Sequence, residues 1–279
     1  MSTLRLGLVA DMQYADRDAA GPRRYREAAA KLAAALDDCN ARPLDAVINL
    51  GDVIDGPPEQ ADQHLKVIFD VFARCRAPVV HVVGNHCLEG GRAAFDRHTP
   101  LRCYHHELAL GDFRLIVLNG NDLSVRDYPE GDARLAEARA WLARGKTPWG
   151  GGIGAAQLAW FDATLADAAR RGQRALVLSH IPLYEPATRR LHDLWNAPEV
   201  LDVLHRHGHV VACFAGHDHA GGCAADPHGV HHITFTSICE APADGNAYAF
   251  VTITDTRLTI DGRGVEPSRE LELRPTGAS

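Results

Sequence analysis

The side chains best suited to chemistry occur in five short polar clusters, each of which follows a run of apolar residues. The clusters are Asp11-Met12-Gln13, Gly51-Asp52-Val53-Ile54-Asp55, Gly84-Asn85-His86, Ser179-His180 and Gly216-His217-Asp218-His219. Each cluster alone is ambiguous, because a Gly-Asp pair after a strand is usually a turn. Together they supply only oxygen and nitrogen ligands of the kinds that divalent metals bind.

The combined donor set is large enough for two metal ions. It contains two carboxylates, two carboxamides and three imidazoles, and it suffices if one carboxylate bridges the ions. Two divalent cations against two carboxylates leave the site positive in a chain whose formal net charge is −7, which favours a phosphate ligand. Such a pair of ions can clamp the oxygens of a phosphoryl transfer and activate a shared water for in-line attack on phosphorus. The donor types therefore indicate a phosphohydrolase.

The elements that would position these clusters follow a mixed α/β pattern. Strands are predicted at residues 4–10, 45–50 and 78–83, with helices at 22–40 and about 57–73 between them. An antiparallel pair of strands follows at 104–110 and 113–118, and then helices near 130–144 and at 155–170. The rest of the chain has strands at 174–179 and 209–215 with a helix between them, and a strand-rich tail from residue 229. Because ligand crevices of open α/β sheets lie at the carboxyl ends of the strands, the clusters can converge on one site.

Length and composition bound the remaining possibilities. The 279 residues show no internal repeat and no interdomain linker, so we expect one domain over residues 1–279, with an insertion at about 119–154. The acidic balance and the lack of a Lys/Arg-rich block argue against nucleic-acid and membrane-surface partners, and any anionic ligand must find positive charge locally. No apolar run approaches the roughly 20 residues that span a bilayer, and the N-terminus does not resemble a leader. The seven cysteines form no CxxC pair, so a soluble protein of the reducing cytoplasm is expected. The oligomeric state stays open.

The order of the clusters resembles the calcineurin-like metallophosphoesterase superfamily, whose pattern is DxH, GDxxD, GNH, a lone His and GHxH. The resemblance runs from Asp11 to His219. It implies two mixed β-sheets packed face to face with flanking helices, a four-layer sandwich. It also implies two sets of metal ligands: a first set of Asp11, Gln13, Asp52 and His219, and a second set of Asp52, Asn85, His180 and His217.

By the same resemblance, His86 is expected to act as a general acid or to stabilise the transition state, because an imidazole beside the metal ligand Asn85 can protonate a leaving oxygen. Asp55, the second aspartate of GDxxD, is then expected to orient His86. The alternative for Asp55 is the N-cap of the helix that starts near Pro57-Pro58.

Gln13 stands where the superfamily pattern has histidine. The stretch Asp11-Met12-Gln13-Tyr14-Ala15-Asp16 is similar to the manganese-dependent ADP-ribose/CDP-alcohol diphosphatases, as are Arg23-Arg24-Tyr25, Leu194-Trp195-Asn196 and Glu240-Ala241-Pro242. That family hydrolyses the diphosphate of its substrates to a nucleoside monophosphate and a phosphorylated product. A carboxamide oxygen in place of an imidazole makes the first site harder, so Mn²⁺ is the expected metal, with Fe and Zn as alternatives.

Three side chains are expected to contact the substrate: Tyr14, His192 and Trp195. Tyr14 and Trp195, together with Trp149, are candidates for stacking on a nucleobase, although aromatic residues near strand ends usually belong to the core. His192 replaces a cysteine of the diphosphatase pattern, and Cys87 stands where the superfamily often has an acidic residue after GNH. Both departures bear on substrate choice.

Two other functions remain open from the sequence. A cyclic-nucleotide or general phosphodiesterase would use the same two-metal scaffold and would cleave cyclic AMP or aryl esters at rates rivalling those on ADP-ribose. A non-catalytic protein of the same fold would have lost its metals, which the complete set of expected ligands and the presence of His86 disfavour.

Overall fold

Twelve strands and six helices follow one another along the chain, among residues 2–126 and 128–274 that the computed structural model describes. In chain order they are β1 (Leu4–Val9), α1 (Ala28–Asn40), β2 (Ala46–Asn49), α2 (Ala61–Phe72), β3 (Val79–His81), α3 (Arg92–His98), β4 (His106–Leu110), β5 (Phe113–Leu118), α4 (Ala133–Ala143), α5 (Ala155–Arg170), β6 (Arg174–Ser179), α6 (Ala197–His205), β7 (Val210–Ala215), β8 (Gly222–Ala225), β9 (His231–Thr234), β10 (Ala247–Ile253), β11 (Arg257–Gly264) and β12 (Arg269–Glu272).

The strands form two mixed six-stranded sheets, ordered β12-β11-β10-β1-β2-β3 and β4-β5-β6-β7-β9-β8. Strands β1, β2 and β3 are mutually parallel, and so are β5, β6, β7 and β9. Antiparallel strands complete one side of the first sheet, from β10 to β12, and both edges of the second, at β4 and β8. In each sheet the parallel strands therefore end on the same side, which is where ligands bind in such sheets.

Apolar side chains on both faces of the strands produce a four-layer arrangement. All residues of β5, β6 and β7 are buried, as expected for parallel strands covered on both faces. Between the sheets, Leu6 and Ile48 of the first share a cluster with Leu176 and Phe214 of the second. Helices α1, α2 and α3 pack on the outer face of the first sheet, and α5 and α6 pack on that of the second. The expected sandwich of two mixed sheets is confirmed.

Several element boundaries differ from the sequence-based prediction. The helix predicted from residue 22 begins at Ala28, because the preceding backbone bonds elsewhere: the amide of Arg24 donates to the carbonyl of Cys239, and that of Arg23 to Ala20. The short α3 and the edge strands β8 and β12 were not predicted. The segment 119–154 contains α4 and is closed by a bridge between Leu123 and Gly152. Within the described ranges, no helix has the length and apolarity to cross a bilayer.

A buried histidine supports the turn after β2. His81 is 4% exposed, its ring packs against Phe69 and Phe72, and its Nδ1 accepts a hydrogen bond of 3.0 Å from Asn49. The side-chain oxygen of Asn49 in turn accepts from the amide of Gly51 at 3.0 Å, one residue before Asp52. Burial lowers the pKa of His81 from 6.5 to about 4, so the ring is neutral in the folded protein.

We expect His81 to make stability depend on pH. Between the unfolded pKa of 6.5 and the folded pKa of about 4, the unfolded chain binds a proton that the folded chain does not. The free energy of unfolding should therefore fall as the pH drops through this interval, by up to about 3 kcal/mol from this residue. Urea titrations from pH 7 to pH 4 measure how steeply the free energy of unfolding depends on pH. In His81→Gln this slope should be smaller by the equivalent of about one proton. The surface exchange His228→Gln controls for loss of an imidazole, and equal slopes for His81→Gln and the parent chain would contradict the assignment.

Candidate dinuclear metal centre

The predicted ligands converge where the parallel strands of both sheets end. Each follows a strand: Asp11 comes after β1, Asp52 after β2, Asn85 after β3, His180 after β6, and His217 and His219 after β7. With Gln13, these seven side chains form one group, and none is more than 9% exposed. The structure thus brings together residues that are distributed over most of the chain.

Asp52 lies at the centre of this group. Its Oδ2 is 3.2 Å from Nε2 of His180 and 3.4 Å from Nε2 of Gln13. Its Oδ1 accepts a hydrogen bond of 2.8 Å from the backbone amide of His86. Asp52 therefore contacts a member of each of the two expected ligand sets, which is the position that a bridging carboxylate requires.

The other ligand candidates are joined to Asp52 through their neighbours. Nε2 of His180 is 3.2 Å from Oδ1 of Asn85 and 3.3 Å from Nδ1 of His217. On the other side, Nε2 of His219 is 3.7 Å from Oδ1 of Asp11, whose carboxylate also accepts from the amide of His217. Ligand atoms of Asp52, His180 and His217 all lie within 4.8 Å of one another.

The backbone at these positions is strained. Asp11, Gln13, Asp52 and His217 have φ angles of 51°, 44°, 48° and 69°, and among the residues described only one other non-glycine, Leu191, has a positive φ. Such conformations cost on the order of 1 kcal/mol or more each and cluster at functional sites. The backbone of Gly84 also passes so close to Asp52 that no side chain fits there, since a Cβ on Gly84 would lie 2.1 Å from Oδ1 of Asp52.

Unsatisfied polar atoms test whether the group fits metal ions. Oε1 of Gln13, Nδ2 of Asn85 and Nε2 of His217 are buried without a hydrogen-bond partner in the part of the chain that is described. A buried polar atom without a partner costs about 1–3 kcal/mol. The free oxygen of Gln13, whose side chain contacts the buried carboxylate of Asp52, is a suitable ligand for a divalent cation, and His217 directs Nδ1 to His180 in the same group. The residues therefore fit a dinuclear metal site.

Hydrogen bonds to the protein orient two of the imidazoles. Nδ1 of His180 donates to the carbonyl of Leu50 at 2.8 Å, and Nδ1 of His219 donates to Oε1 of Glu240 at 2.6 Å. In both rings Nε2 is thereby directed to the centre, as is usual for metal-binding histidines. Sequence reasoning noticed Glu240 only as part of a similar stretch and missed this contact.

The buried charges perturb one another strongly. Burial raises the pKa of Asp11 to about 6. The pKa of Asp52 is lowered although burial opposes this, because the charge of His180 stabilises the carboxylate. Burial would lower the pKa of His180, but the carboxylate of Asp52 outweighs it and raises the pKa to about 9. Metal-free protein thus carries a proton between Asp52 and His180, and a cation that binds there must displace it.

The carboxylate closest to the ring of His86 is that of Glu89, and the expected Asp55 lies farther away. Its Nδ1 donates to Oε1 of Glu89 at 2.6 Å, whereas Oδ1 of Asp55 is 3.6 Å away. Asp55 is also bound by Arg23 at 2.9 Å and Arg17 at 3.2 Å, so it makes a longer ion-pair contact with His86 beside the shorter bond from Glu89. That Asp55 orients His86 stays a prediction, and the described helical turn that starts after Pro57 is not capped by its side chain. Burial lowers the pKa of His86, but Asp52 and Glu89 outweigh it and the net shift is upward.

Glu89 also explains the departure at Cys87. The Cys87 side chain is buried, and its sulfur accepts from the amide of Gly84 at 3.4 Å. The acidic residue that was expected directly after GNH is supplied two positions later, from the end of the short helical turn His86–Leu88. The spacing of three residues between His86 and Glu89 was the available signal, because residues so spaced face each other on a helix.

The three expected substrate contacts differ in position. The ring of His192 lies 5.8 Å from that of His217, at the edge of the metal group. Tyr14 is half-buried, with its ring edge-on to His64. Trp195 is 2% exposed, packs with Leu123 and Ala138, and donates from Nε1 to the carbonyl of Thr147. The prediction that Trp195 stacks on a base is corrected, because neither face of the indole is accessible; Trp149 is 42% exposed.

Comparison with known proteins places the chain in a family. Residues 4–221 match the calcineurin-like phosphoesterase family, a span that includes all five polar clusters. The chain belongs to this family. A manganese-dependent ADP-ribose/CDP-alcohol diphosphatase of Arabidopsis thaliana is 31% identical, with 95% of this chain and 96% of the relative aligned.

Two vertebrate proteins extend the comparison within the calcineurin-like phosphoesterases. A human protein of the same name as the Arabidopsis one is 28% identical, over 96% of this chain and 92% of its own length. The crystal structure of a dimetal phosphatase from Danio rerio superposes with a TM-score of 0.87 at 27% identity, covering 97% of this chain and 99% of that one. Glu240 lies beyond the matched family span but within these near full-length similarities.

Removing the charge of Glu240 should weaken metal binding. In Glu240→Gln the carboxamide can still accept from His219, but the imidazole loses the carboxylate that raises its basicity. Loss of such a partner typically lowers metal affinity about 10–100-fold. Calorimetric titration of chelator-stripped protein with Mn²⁺ measures the change, with the exposed Glu185→Gln as control. Equal affinities for the parent and Glu240→Gln would show that the contact does not tune the site.

Proposed function

We propose that this protein is a manganese-activated hydrolase that cleaves the diphosphate of nucleoside diphosphate-linked compounds of the ADP-ribose and CDP-alcohol type. The products are a nucleoside monophosphate and a phosphorylated remainder. The observation that carries the proposal is the buried group of seven donors joined through Asp52, with the free Oε1 of Gln13 among them. Relatives named manganese-dependent ADP-ribose/CDP-alcohol diphosphatase, aligned over nearly the whole chain, support this substrate class.

Two divalent ions would be held by the two sets that share Asp52. The first set comprises Asp11, Gln13, Asp52 and His219, and the second Asp52, Asn85, His180 and His217. When bound, such ions withdraw charge from the phosphoryl oxygens and make a water molecule acidic enough to react near neutral pH. Oxygen donors dominate the first set, which favours Mn²⁺ over Zn²⁺ there.

His86 supplies the proton in this proposal. The carboxylates of Asp52 and Glu89 outweigh burial and raise the pKa of His86, which favours the protonated ring that a general acid needs. Its side chain is 18% exposed, so it lies between the buried centre and solvent. Glu89 holds Nδ1, which leaves Nε2 to donate to the leaving oxygen. Because Asp52 accepts from the backbone amide of the same residue, His86 is fixed relative to the metal group at two points.

Substrate contacts are proposed at the rim of the centre. His192 lies beside His217, and the half-buried Tyr14 directly follows Gln13. Arg17 and Arg23 near Asp55, and Arg126 at 3.4 Å from Glu89, add positive charge around His86. An anionic diphosphate is favoured by these charges in a protein that is acidic overall. We also propose a cytoplasmic location, since all seven cysteines are free thiols.

Activity of reconstituted protein tests the proposal. Chelator-stripped protein should release AMP from ADP-ribose and CMP from CDP-choline when Mn²⁺ is added, and less with Mg²⁺ or Zn²⁺. Cyclic AMP and p-nitrophenyl phosphate complete the panel. Cleavage of only these two would favour the general phosphodiesterase, and no cleavage with any metal would favour the non-catalytic protein.

The position of Asp52 predicts that it is indispensable. Asp52→Asn removes the charge shared by both metal sets and should lower kcat/KM for ADP-ribose more than about 100-fold. The exposed Asp70→Asn on α2, which also removes one carboxylate, serves as control and should retain activity. Full activity of Asp52→Asn would overturn the two-metal proposal.

Gln13 predicts the metal preference. In Gln13→His an imidazole replaces the carboxamide oxygen, so the first site becomes softer and its preference should move from Mn²⁺ toward Zn²⁺ or Fe. Activity of stripped protein with each metal, together with metal content after growth in mixed metals, measures the shift. An unchanged profile would count against Gln13 as a ligand.

A further inference from the structure

One buried carboxylate beside the metal group contributes nothing to the donor set. Asp218 lies between His217 and His219, and its side chain is fully inaccessible. Its Oδ2 accepts from the hydroxyl of Thr188 at 2.9 Å and from the amide of Arg189 at 2.6 Å. Its Oδ1 is 2.6 Å from both Nε and Nη2 of Arg189. The carboxylate is therefore directed away from the metals and toward another segment.

The turn that carries His217 and His219 does not need this side chain. Within the turn, the amide of Asp218 donates to Gly216 and its carbonyl accepts from Gly221, both through the backbone. Among the hydrogen bonds of the described residues, the Asp218 side chain makes one inside the turn, a longer bond of 3.3 Å from the amide of Ala220. All the short, charge-assisted bonds of Asp218 go to Thr188 and Arg189, and such bonds are the strong ones.

Asp218 thus holds the beginning of residues 188–192, which we name the 188–192 loop. The loop passes through Leu191, which is 39% exposed with a φ of 67°, and ends at His192, whose ring is 5.8 Å from that of His217. A strained and exposed backbone of this kind keeps its shape only if its ends are held. Close packing supports the start, since a Cβ on Gly222 would lie 2.2 Å from the carbonyl of Ala187.

The ion pair with Asp218 also limits which other groups the guanidinium of Arg189 can bind. Its guanidinium is half exposed, yet its Nε and Nη2 are both engaged by the buried Asp218. Arg189 is therefore a structural clamp for the loop, whereas the exposed Arg190 has no bond to Asp218. The loop presents His192 at the edge of the centre, and the bonds of Asp218 to Thr188 and Arg189 hold the start of the loop.

We propose that Asp218 is a positioning residue that couples the metal-binding turn to the 188–192 loop, and that this loop contacts the part of the substrate beyond the scissile phosphate. Because Asp218 lies between two metal ligands, ordering of the turn by metal and ordering of the loop support each other. The substrate part of this inference rests on the proposed diphosphatase function. The coupling itself does not.

Limited proteolysis tests the coupling without any activity measurement. Trypsin can cut after Arg189 or Arg190, and cleavage reports opening of the loop when opening is fast. In Asp218→Asn the carboxamide no longer pairs with Arg189, so cleavage at these sites should be about tenfold faster or more. Mn²⁺ should protect the parent chain and protect Asp218→Asn less. Equal cleavage rates, located by mass spectrometry, would overturn the proposal.

A double variant shows whether Asp218 acts through Arg189. Cleavage after Arg190 is compared in Asp218→Asn, Arg189→Gln and the double variant. If the two residues act as a pair, the double variant should be cut no faster than the faster single variant. A double variant whose increase in cleavage rate equals the product of the two single increases would contradict the pairing. Arg190→Lys keeps the loop charge and a trypsin site and serves as the matched control, with the parent cleavage rate expected.

Kinetics then separate the substrate role from a merely structural one. Asp218→Asn should raise KM for ADP-ribose about tenfold, with a smaller change in kcat. On p-nitrophenyl phosphate, which has no nucleoside beyond the scissile bond, kcat/KM should change less than about threefold. An equal loss of kcat/KM on both substrates would mean that Asp218 only shapes the metal-binding turn. If the parent chain cleaves no diphosphate, the proposed function fails, and the proteolysis still decides whether the coupling exists.

Discussion

Burial of Asp11 and Asp52 at one point is the constraint on which the rest of the site depends. Two carboxylates cannot be removed from water side by side without positive charge to match them. In the protein alone, the imidazolium of His180 supplies part of that charge, and the raised pKa of Asp11 shows that the match is incomplete. Gln13, which contacts Asp52, has a buried Oε1 without a partner among the described residues. Divalent cations satisfy the carboxylates and this oxygen together.

Rigid sheets make this unfavourable arrangement possible. The ligands sit on turns directly after parallel strands whose residues are buried on both faces, so the strand ends cannot move apart to relieve repulsion. Four residues of these turns adopt left-handed backbone conformations, which direct their side chains to the same centre: Asp11, Gln13, Asp52 and His217. The strain is sustained by the packing of the sandwich, and this explains why strain and ligands coincide at the same residues.

The sequence predicts much of this, for identifiable reasons. Continuous apolar runs marked β5, β6 and β7, and polar clusters marked the strand ends that converge. The partners of the ligands were not predictable in the same way. The ring of His86 lies near both Asp55 and Glu89, and the shorter bond to Glu89 depends on the helical turn between the two residues. The burial of Trp195 depends on packing against residues 123 and 138. Short edge strands such as β12 carry too few residues for a periodic signal.

Carboxylates outside the ligand set distinguish this site from a generic two-metal centre. Glu240 contacts His219, Glu89 contacts His86, and Asp218 contacts Arg189, so one contact orients a candidate ligand, one the proposed proton donor and one the loop at the rim. Each comes from a different segment, and Glu240 lies outside the span that the family pattern covers. The ligands specify phosphoryl chemistry, which many folds and families share. Selectivity for metal therefore depends on Gln13 within the seven-donor group, and selectivity for substrate depends on the outer contacts, which can change while the seven donors stay the same.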